Sequence, residues 1–222
     1  LPDLIDMKVL LLTGYDDNMT HVGDCTSRVM GQYASKHGID FLRIRQYSKH
    51  THPSWQKALH VGRQLSSGYD RVIWLDADTL ITNSEISPFE IESIAPIEVS
   101  KDWGLDAMEP HHFNMGNFFA NRDPNELWAH IWNRYLPQKE EEWGNKELWE
   151  QSALQGLYQT LRTPEDIFSI CPTRRFNAVH AALAPSAPDP WQEGDWLCHL
   201  TGEEITTEKR LKVMGDLLNI IQ

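Results

Sequence analysis

The chain has no long apolar run, few cysteines and a shortage of positive charge, and each lack removes a class of protein. No stretch approaches the roughly 18 apolar residues that cross a bilayer, and no signal peptide is visible. The three cysteines, Cys25, Cys171 and Cys198, are odd in number and widely spaced. They form neither a disulfide framework nor a CxxC metal site, which points to a reducing, cytoplasmic home. Lys and Arg number 20 against 32 Asp and Glu, a formal charge of −12. Such a surface is a poor match for nucleic acid, whose phosphates need basic patches. A small anionic substrate is still admissible if a cation bridges it to an acidic site. There is no internal repeat, low-complexity tract or convincing linker, so one domain over residues 1–222 is the simplest organisation. The chain starts at Leu1 rather than Met, which is compatible with a piece of a longer protein. Asn18-Met-Thr20 matches the glycosylation sequon, a short pattern that arises often by chance.

What is present is ordinary for a globular protein: 222 residues, 41% of them hydrophobic, long enough to enclose a sizeable core. Nine tryptophans are many; their flat faces suit a core and also stack on sugar rings. Met7 to Thr13 reads as a buried first strand bounded by Gly14. Tyr15 to Cys25 is polar and loop-like. Thr26 to His37 reads as a helix stopped by Gly38. Asp40 to Arg45 alternates as a second strand. His52-Pro-Ser54 opens a helix over about Trp55 to Ser66, with Ser54 as N-cap, and Gly68 ends it. Arg71 to Leu75 is a third strand. This β-α-β-α-β order predicts an α/β fold, a mostly parallel central sheet flanked by helices. Beyond it, Pro88 to Pro96 is a connector, Ile97 to Asp102 a short strand, and Phe113 to Ala120 a strand holding a glycine. Pro124 to Tyr135 and Lys146 to Thr160 read as helices, Ala181 to Pro190 as a loop, Asp195 to Leu200 as a last strand and Glu208 to Ile221 as a closing amphipathic helix.

The chemistry is concentrated at Asp76-Ala77-Asp78. An apolar run stops at Asp76, and two carboxylates follow at i and i+2, a spacing that puts both on one side of an extended chain. Ligands of open α/β sheets sit beyond the carboxyl ends of the strands. Two carboxylates there can hold a divalent ion that grips a substrate's phosphates. An Asp-x-Asp alone is also a common surface turn; its place after a central strand favours the metal. His199, ending an apolar strand, can complete a carboxylate site for manganese or a similar ion. Lys57 could meet a phosphate as a point charge, although most helical lysines are merely solvated. Asp102, Glu150 and Gln151 are candidates for proton transfer or for facing developing positive charge.

The order of these pieces resembles GT-A glycosyltransferases, and most closely the galactosyl/xylosyl/mannosyl-type enzymes of glycosyltransferase family 34. The matching blocks are Thr13-Gly14-Tyr15, Tyr33 to Asp40, Trp55-Gln56-Lys57 and RVIWLDADTLITN over residues 71–83. They continue with Lys101-Asp102-Trp103, Phe113 to Phe119, Glu150 to Ala153 and Asp195 to Gly202. The Asp-x-Asp block is shared by many GT-A families; the later blocks discriminate.

The resemblance implies a Rossmann-like nucleotide-sugar-binding fold and sugar transfer from a nucleotide-linked donor, UDP above all, to a glycan hydroxyl with Mn²⁺ or Mg²⁺. Asp76, Asp78 and His199 would be the metal ligands. Thr13, Gly14 and Tyr15 would lie along the nucleobase and ribose, and Lys57 and Ala77 near the nucleotide. Gly202 would let the backbone approach the diphosphate. Asp102, Asn114 and Gly116 would lie under the donor sugar, and Glu150-Gln151 beside the reacting carbon. The family suggests retention at the anomeric carbon; inversion would make Asp102 or Glu150 the base. Trp103 and Trp149 would line the acceptor groove. Asn117 stands where the family has a small apolar residue, and Glu150 where it has Asp. No membrane anchor of the Golgi type is seen; a Golgi-lumen location would require that one had been removed. The rival readings are a nucleotide-sugar hydrolase or pyrophosphorylase, and a non-catalytic sugar-binding module of the same fold.

Overall fold

A computed structural model describes residues 7–45, 47, 52–90, 95–103, 111–123, 126–143, 149–203 and 205–221. Its strands are β1 (Val9–Gly14), β2 (Asp40–Ile44), β3 (Arg71–Leu75), β4 (Thr79–Ile81), β5 (Ile97–Lys101), β6 (Phe113–Asn121), β7 (Phe168–Cys171) and β8 (Leu197–His199). Six strands form one sheet in the order β2-β1-β3-β6-β5-β7, and β4 pairs with β8 apart from it. The β2-β1-β3 half is parallel, as the β-α-β-α-β order predicts. β6 runs antiparallel to both β3 and β5, and β5 runs parallel to β7. The sheet is therefore mixed beyond β3.

The apolar runs of β1 and β3 are buried on both faces, so each strand feeds two cores with a period of two. Leu10, Leu12, Val72 and Trp74 enter one cluster, while Val9, Leu11, Ile73 and Leu75 enter the other. On the first face lies α2 (Pro53–Ser66), whose Trp55, Ala58, Val61 and Leu65 form a helical stripe against the sheet. Burying a side chain of this size contributes roughly 1.5–3 kcal/mol. α5 (Trp149–Thr160) adds Ala153 and Leu154 to the same core. α1 (Thr20–His37) covers the second face through Met30, Tyr33 and Ala34. A third cluster joins Leu80 of β4, Cys198 of β8, and Val213, Met214 and Leu217 of α6 (Thr207–Ile220).

Several boundaries differ from expectation. The stretch after Tyr15 is not a loop throughout: a 3₁₀ turn, Asp17–Met19, leads into α1 at Thr20. The N-cap of α2 is His52, not Ser54; the His52 side chain accepts from the Ser54 N–H, and Pro53 fills the first turn, where its missing N–H costs nothing. Gly38 stops α1 in the left-handed region, at φ 65°. The expected helix ending at Tyr135 runs on: α3 (Leu127–His130) passes through a π turn (Ile131–Tyr135) into α4 (Leu136–Trp143). Pro137, which cannot donate back to the preceding turn, sits just past that loosened segment. The short strands β4 and β7 were not expected. Parts of the expected connector and helix starts, residues 91–94, 124–125 and 146–148, lie outside the described residues. Among the described residues, no helix is long and apolar enough to cross a membrane.

Candidate functional site

The Asp76-Ala77-Asp78 turn joins two sheets. It leaves the end of β3, and Thr79 then begins β4, which pairs antiparallel with β8 so that Thr79 lies opposite His199. Backbone bonds fix the turn from three sides. Asp76 N–H donates to the Gly116 carbonyl at 2.8 Å, Leu200 N–H donates to the Asp78 carbonyl at 2.7 Å, and the Thr26 hydroxyl of α1 donates to the Ala77 carbonyl at 2.6 Å. Asn117, fully buried on β6, accepts from the Thr79 hydroxyl at 2.7 Å and from Asp76 N–H at 3.3 Å. Its amide also donates to the Phe176 carbonyl at 2.8 Å. A small apolar residue there could make none of these bonds.

The result is a cluster in which one ligand atom each from Asp76, Asp78 and His199 lies within 4.8 Å of the others. Asp76 accepts from the Trp74 indole at 2.6 Å and from the Lys57 ammonium at 3.1 Å. Lys57 is buried; its Nζ also lies 2.9 Å from Glu150 Oε1 and donates to the Met115 carbonyl at 2.9 Å. It is neither a solvated lysine nor a loose point charge, since its three protons already have three acceptors. Burial opposes its charge, but Asp76 and Glu150 overcome that and raise its pKa. Burial pushes the Glu150 carboxyl up to about 7, against the pull of Lys57.

Asp78 is held from the other end of the chain. Its Oδ1 lies 3.3 Å from His199 Nε2 and its Oδ2 lies 3.2 Å from an Arg210 guanidinium nitrogen. Burial alone would raise this carboxyl; His199 and Arg210 more than offset it and hold the pKa below the ordinary value. On the far side of the imidazole, His199 Nδ1 is 2.7 Å from Asn177 Oδ1. Both ring nitrogens therefore face oxygen acceptors. The ring needs either two protons or one proton and a metal cation to satisfy them.

The floor of the cluster is Gly116. A Cβ built there would lie 2.8 Å from Asn114 Oδ1, 2.8 Å from His199 Cε1 and 3.1 Å from Asp76 Oδ2. Glycine at this point is what leaves the space between Asp76 and His199 open. Asn114 Oδ1 accepts from Gly116 N–H at 2.8 Å. Gln151 is held at both ends of its amide: Met115 N–H donates to its oxygen at 2.9 Å, and its nitrogen donates to Asp102 Oδ2 at 3.2 Å.

A cavity of about 280 Å³ opens beside the cluster, bordered by Gly14, Tyr15, His52, Lys57 and residues 76–78. Thr13 is fully buried beneath it. Tyr15 is buried too, with the Arg45 guanidinium 4.5 Å from its ring centroid. Trp149 opens α5 with φ at 38°, a region bulky side chains rarely adopt, and stacks on His52 at 4.2 Å. Gly202 lies apart from the cavity lining; a Cβ there would overlap the Leu183 carbonyl oxygen, so the close backbone approach it permits is to Leu183. Sequence reasoning missed Arg210 and Asn177. Arg210 reads as an exposed charge of an amphipathic helix, and Asn177 lies in irregular chain with no local pattern to single it out.

No protein-family model matches the chain, and no curated protein sequence matches it. Solved structures do resemble it. A glycosyltransferase involved in the glycosylation of the major capsid of PBCV-1 superposes with a TM-score of 0.69 at 14% identity, over 96% of this chain and 99% of that one. The galactosyltransferase LgtC, in complex with donor and acceptor sugar analogs, gives 0.57 at 14% identity over 96% of each chain. The apo-form glycosyltransferase GlyE of Streptococcus pneumoniae TIGR4 also gives 0.57 at 14% identity, over 96% of this chain but 63% of that one. At such identities the likeness is one of fold: the chain has the GT-A architecture of these structures.

Proposed function

We propose that this chain is a metal-dependent glycosyltransferase that moves a sugar from a nucleotide-sugar donor, UDP-linked, to a hydroxyl of a glycan acceptor. The observation that carries the reading is the Asp76–Asp78–His199 cluster at the mouth of the parallel strands, with acceptor atoms aimed at one another and a glycine floor beneath them. Two carboxylates and an imidazole suit Mn²⁺ better than Mg²⁺, which favours oxygen throughout. When bound, the cation neutralises negative charge gathering on the departing nucleotide.

The chain's own residues set the stage for this. Lys57 keeps Asp76 in place from below. Arg210 engages Asp78 Oδ2, leaving Oδ1 toward the cluster. The cavity beside Gly14 and Tyr15 takes the nucleoside, and Gly116 leaves room beneath the donor sugar. Gln151, locked between Met115 and Asp102, presents a fixed amide dipole beside the donor sugar. Trp103 and Trp149 offer aromatic faces to the acceptor. The galactosyltransferase LgtC, a structural neighbour, was solved with donor and acceptor sugar analogs, which agrees with a two-substrate cleft here.

Calorimetric titration with UDP tests the reading. Binding is expected with Mn²⁺ present and lost in Asp78→Asn, with the circular dichroism of that variant unchanged. No UDP binding by the wild-type protein with Mn²⁺ would remove the donor site. Release of free sugar from UDP-sugars, indifferent to every acceptor, would reassign the chain to hydrolysis.

A further inference from the structure

The imidazole of His199 has two faces, and the chain determines which nitrogen carries the proton. β8 brings His199 against two segments at once. It pairs with Thr79 on one side, while its own N–H donates to the Ala178 carbonyl at 2.7 Å on the other. That second contact places the preceding residue, Asn177, beside the ring. Asn177 is fully buried, and its Oδ1 lies 2.7 Å from His199 Nδ1.

An amide can present either end, so the sense of the Asn177 side chain must be set by something else. Asp102 sets it. Its Oδ1 lies 3.4 Å from Asn177 Nδ2. A carboxylate oxygen accepts and cannot donate. Turning the amide over would place its oxygen against that carboxylate and its N–H₂ against the ring. The nitrogen of Asn177 therefore faces Asp102, the oxygen faces His199, and Nδ1 must be the donor. Nε2, 3.3 Å from Asp78 Oδ1, is then the nitrogen that faces the three-ligand cluster, where a second proton or a cation must stand between it and the carboxylate.

We propose that Asn177 is a positioning residue that holds His199 as its Nδ1-protonated tautomer, with Asp102 fixing the sense of the Asn177 amide, so that Nε2 is the atom presented to a divalent cation. The presentation to a cation rests on the metal reading given above; the Nδ1–H bond to Asn177 rests on the 2.7 Å contact alone. A histidine ligand whose other nitrogen is held by a hydrogen bond is oriented before the metal arrives, and losing such a partner commonly weakens metal binding by about 10–100-fold. Asp102 also accepts from the Gln151 amide at 3.2 Å. One carboxylate thus orients both the metal-side histidine, through Asn177, and the amide beside the donor sugar. This gives Asp102 work as a positioning group in place of proton transfer.

The test begins with long-range ¹⁵N–¹H spectra of His199 in metal-free protein. Nδ1 of the wild-type ring should carry a proton bonded to Asn177, whether or not Nε2 also carries one; an Nδ1 without a proton overturns the proposal. Asn177→Leu removes the acceptor, and the ring should move toward the Nε2-protonated form. Asn177→Asp retains an acceptor for Nδ1–H, its new carboxyl sharing a proton with Asp102, and should retain the wild-type tautomer even if the leucine variant fails to fold. Asp102→Ala should give a mixture; a spectrum identical to wild type would remove Asp102 from the argument. Mn²⁺ titration by electron paramagnetic resonance then reads the consequence, with affinity lower by about 10–100-fold in Asn177→Leu and restored in Asn177→Asp. Equal affinity in all three proteins would overturn the positioning role. A wild-type protein with the Nδ1 tautomer and no Mn²⁺ binding would overturn the metal reading and the presentation to a cation, leaving only the tautomer.

Discussion

Asp76 and Asp78 stand two residues apart, yet opposite ends of the chain hold them. Asp76 belongs to the N-terminal half. Its partners, Trp74 on β3 and Lys57 on α2, come from the same run of alternating strands and helices. Asp78 belongs to the C-terminal half, facing His199 on β8 and Arg210 on α6. The two cations differ in depth, the Lys57 side chain being 6% exposed and that of Arg210 13%, whereas Asp76 itself, at 30%, is more exposed than Asp78, at 16%. The first half supplies a charge that is part of the core. The second supplies His199, as deeply buried as Lys57, and the more exposed Arg210. A fold that builds its carboxylate–imidazole cluster this way needs its last strand and helix docked before the cluster exists.

Lys57→Met is the harshest way to break the comparison. It leaves Asp76 and Glu150 without their shared cation in the interior, and urea denaturation should show a loss of roughly 3 kcal/mol. Arg210→Met should lose less, about 1.5 kcal/mol, because Asp78 keeps His199 as a partner. It should still bind Mn²⁺, since Arg210 engages the oxygen not facing His199. Equal losses in the two variants would mean that the greater enclosure of Lys57 carries no energetic weight.

Gly116→Ala sharpens the view of the ground between the aspartates. The atoms it would crowd belong to side chains already held by hydrogen bonds to Trp74, Lys57, Asn177 and Gly116, so stability should fall by about 1–3 kcal/mol. Those same atoms line the site, so Mn²⁺-dependent UDP binding should weaken by about tenfold or more, roughly 1.4 kcal/mol by calorimetry.

A separate effect is one of pH. Glu150, raised from 4.5 to about 7 by burial, keeps its proton in the folded protein over a range where the unfolded chain has released it. Its contribution to stability therefore falls as pH rises from about 4.5 to about 7 and is level above that. Glu150→Gln should remove this fall. Measured by urea denaturation at pH 4.5 and pH 8, the variant should gain on the wild type toward the higher pH. A constant difference between the two proteins would contradict the raised pKa.

The N-terminal half was far more legible than the C-terminal half. β3 lies where expected, and Gly38 and Gly68 end their helices, because an apolar run or a glycine acts within its own element. The short strands β4 and β7 were missed because three or four residues are too few to show a period. The direction of β6 was likewise out of reach. A buried apolar strand looks alike in either orientation, and the antiparallel pairing depends on where the connecting chain returns.

The sequence by itself determined the layering of β1 and β3 between two cores, through alternation that sends successive side chains to opposite faces. It also placed two carboxylates at the end of a central strand, with His199 marked through the resemblance. Only the tertiary structure decided what those groups do to one another. It turned Lys57 inward, set Arg210 and His199 against the two oxygens of Asp78, and placed Asn177 behind the imidazole. The reason is range: periodicity reports a residue's neighbours within one element, whereas charge pairing and hydrogen bonding depend on which distant segments the topology brings within about 3 Å.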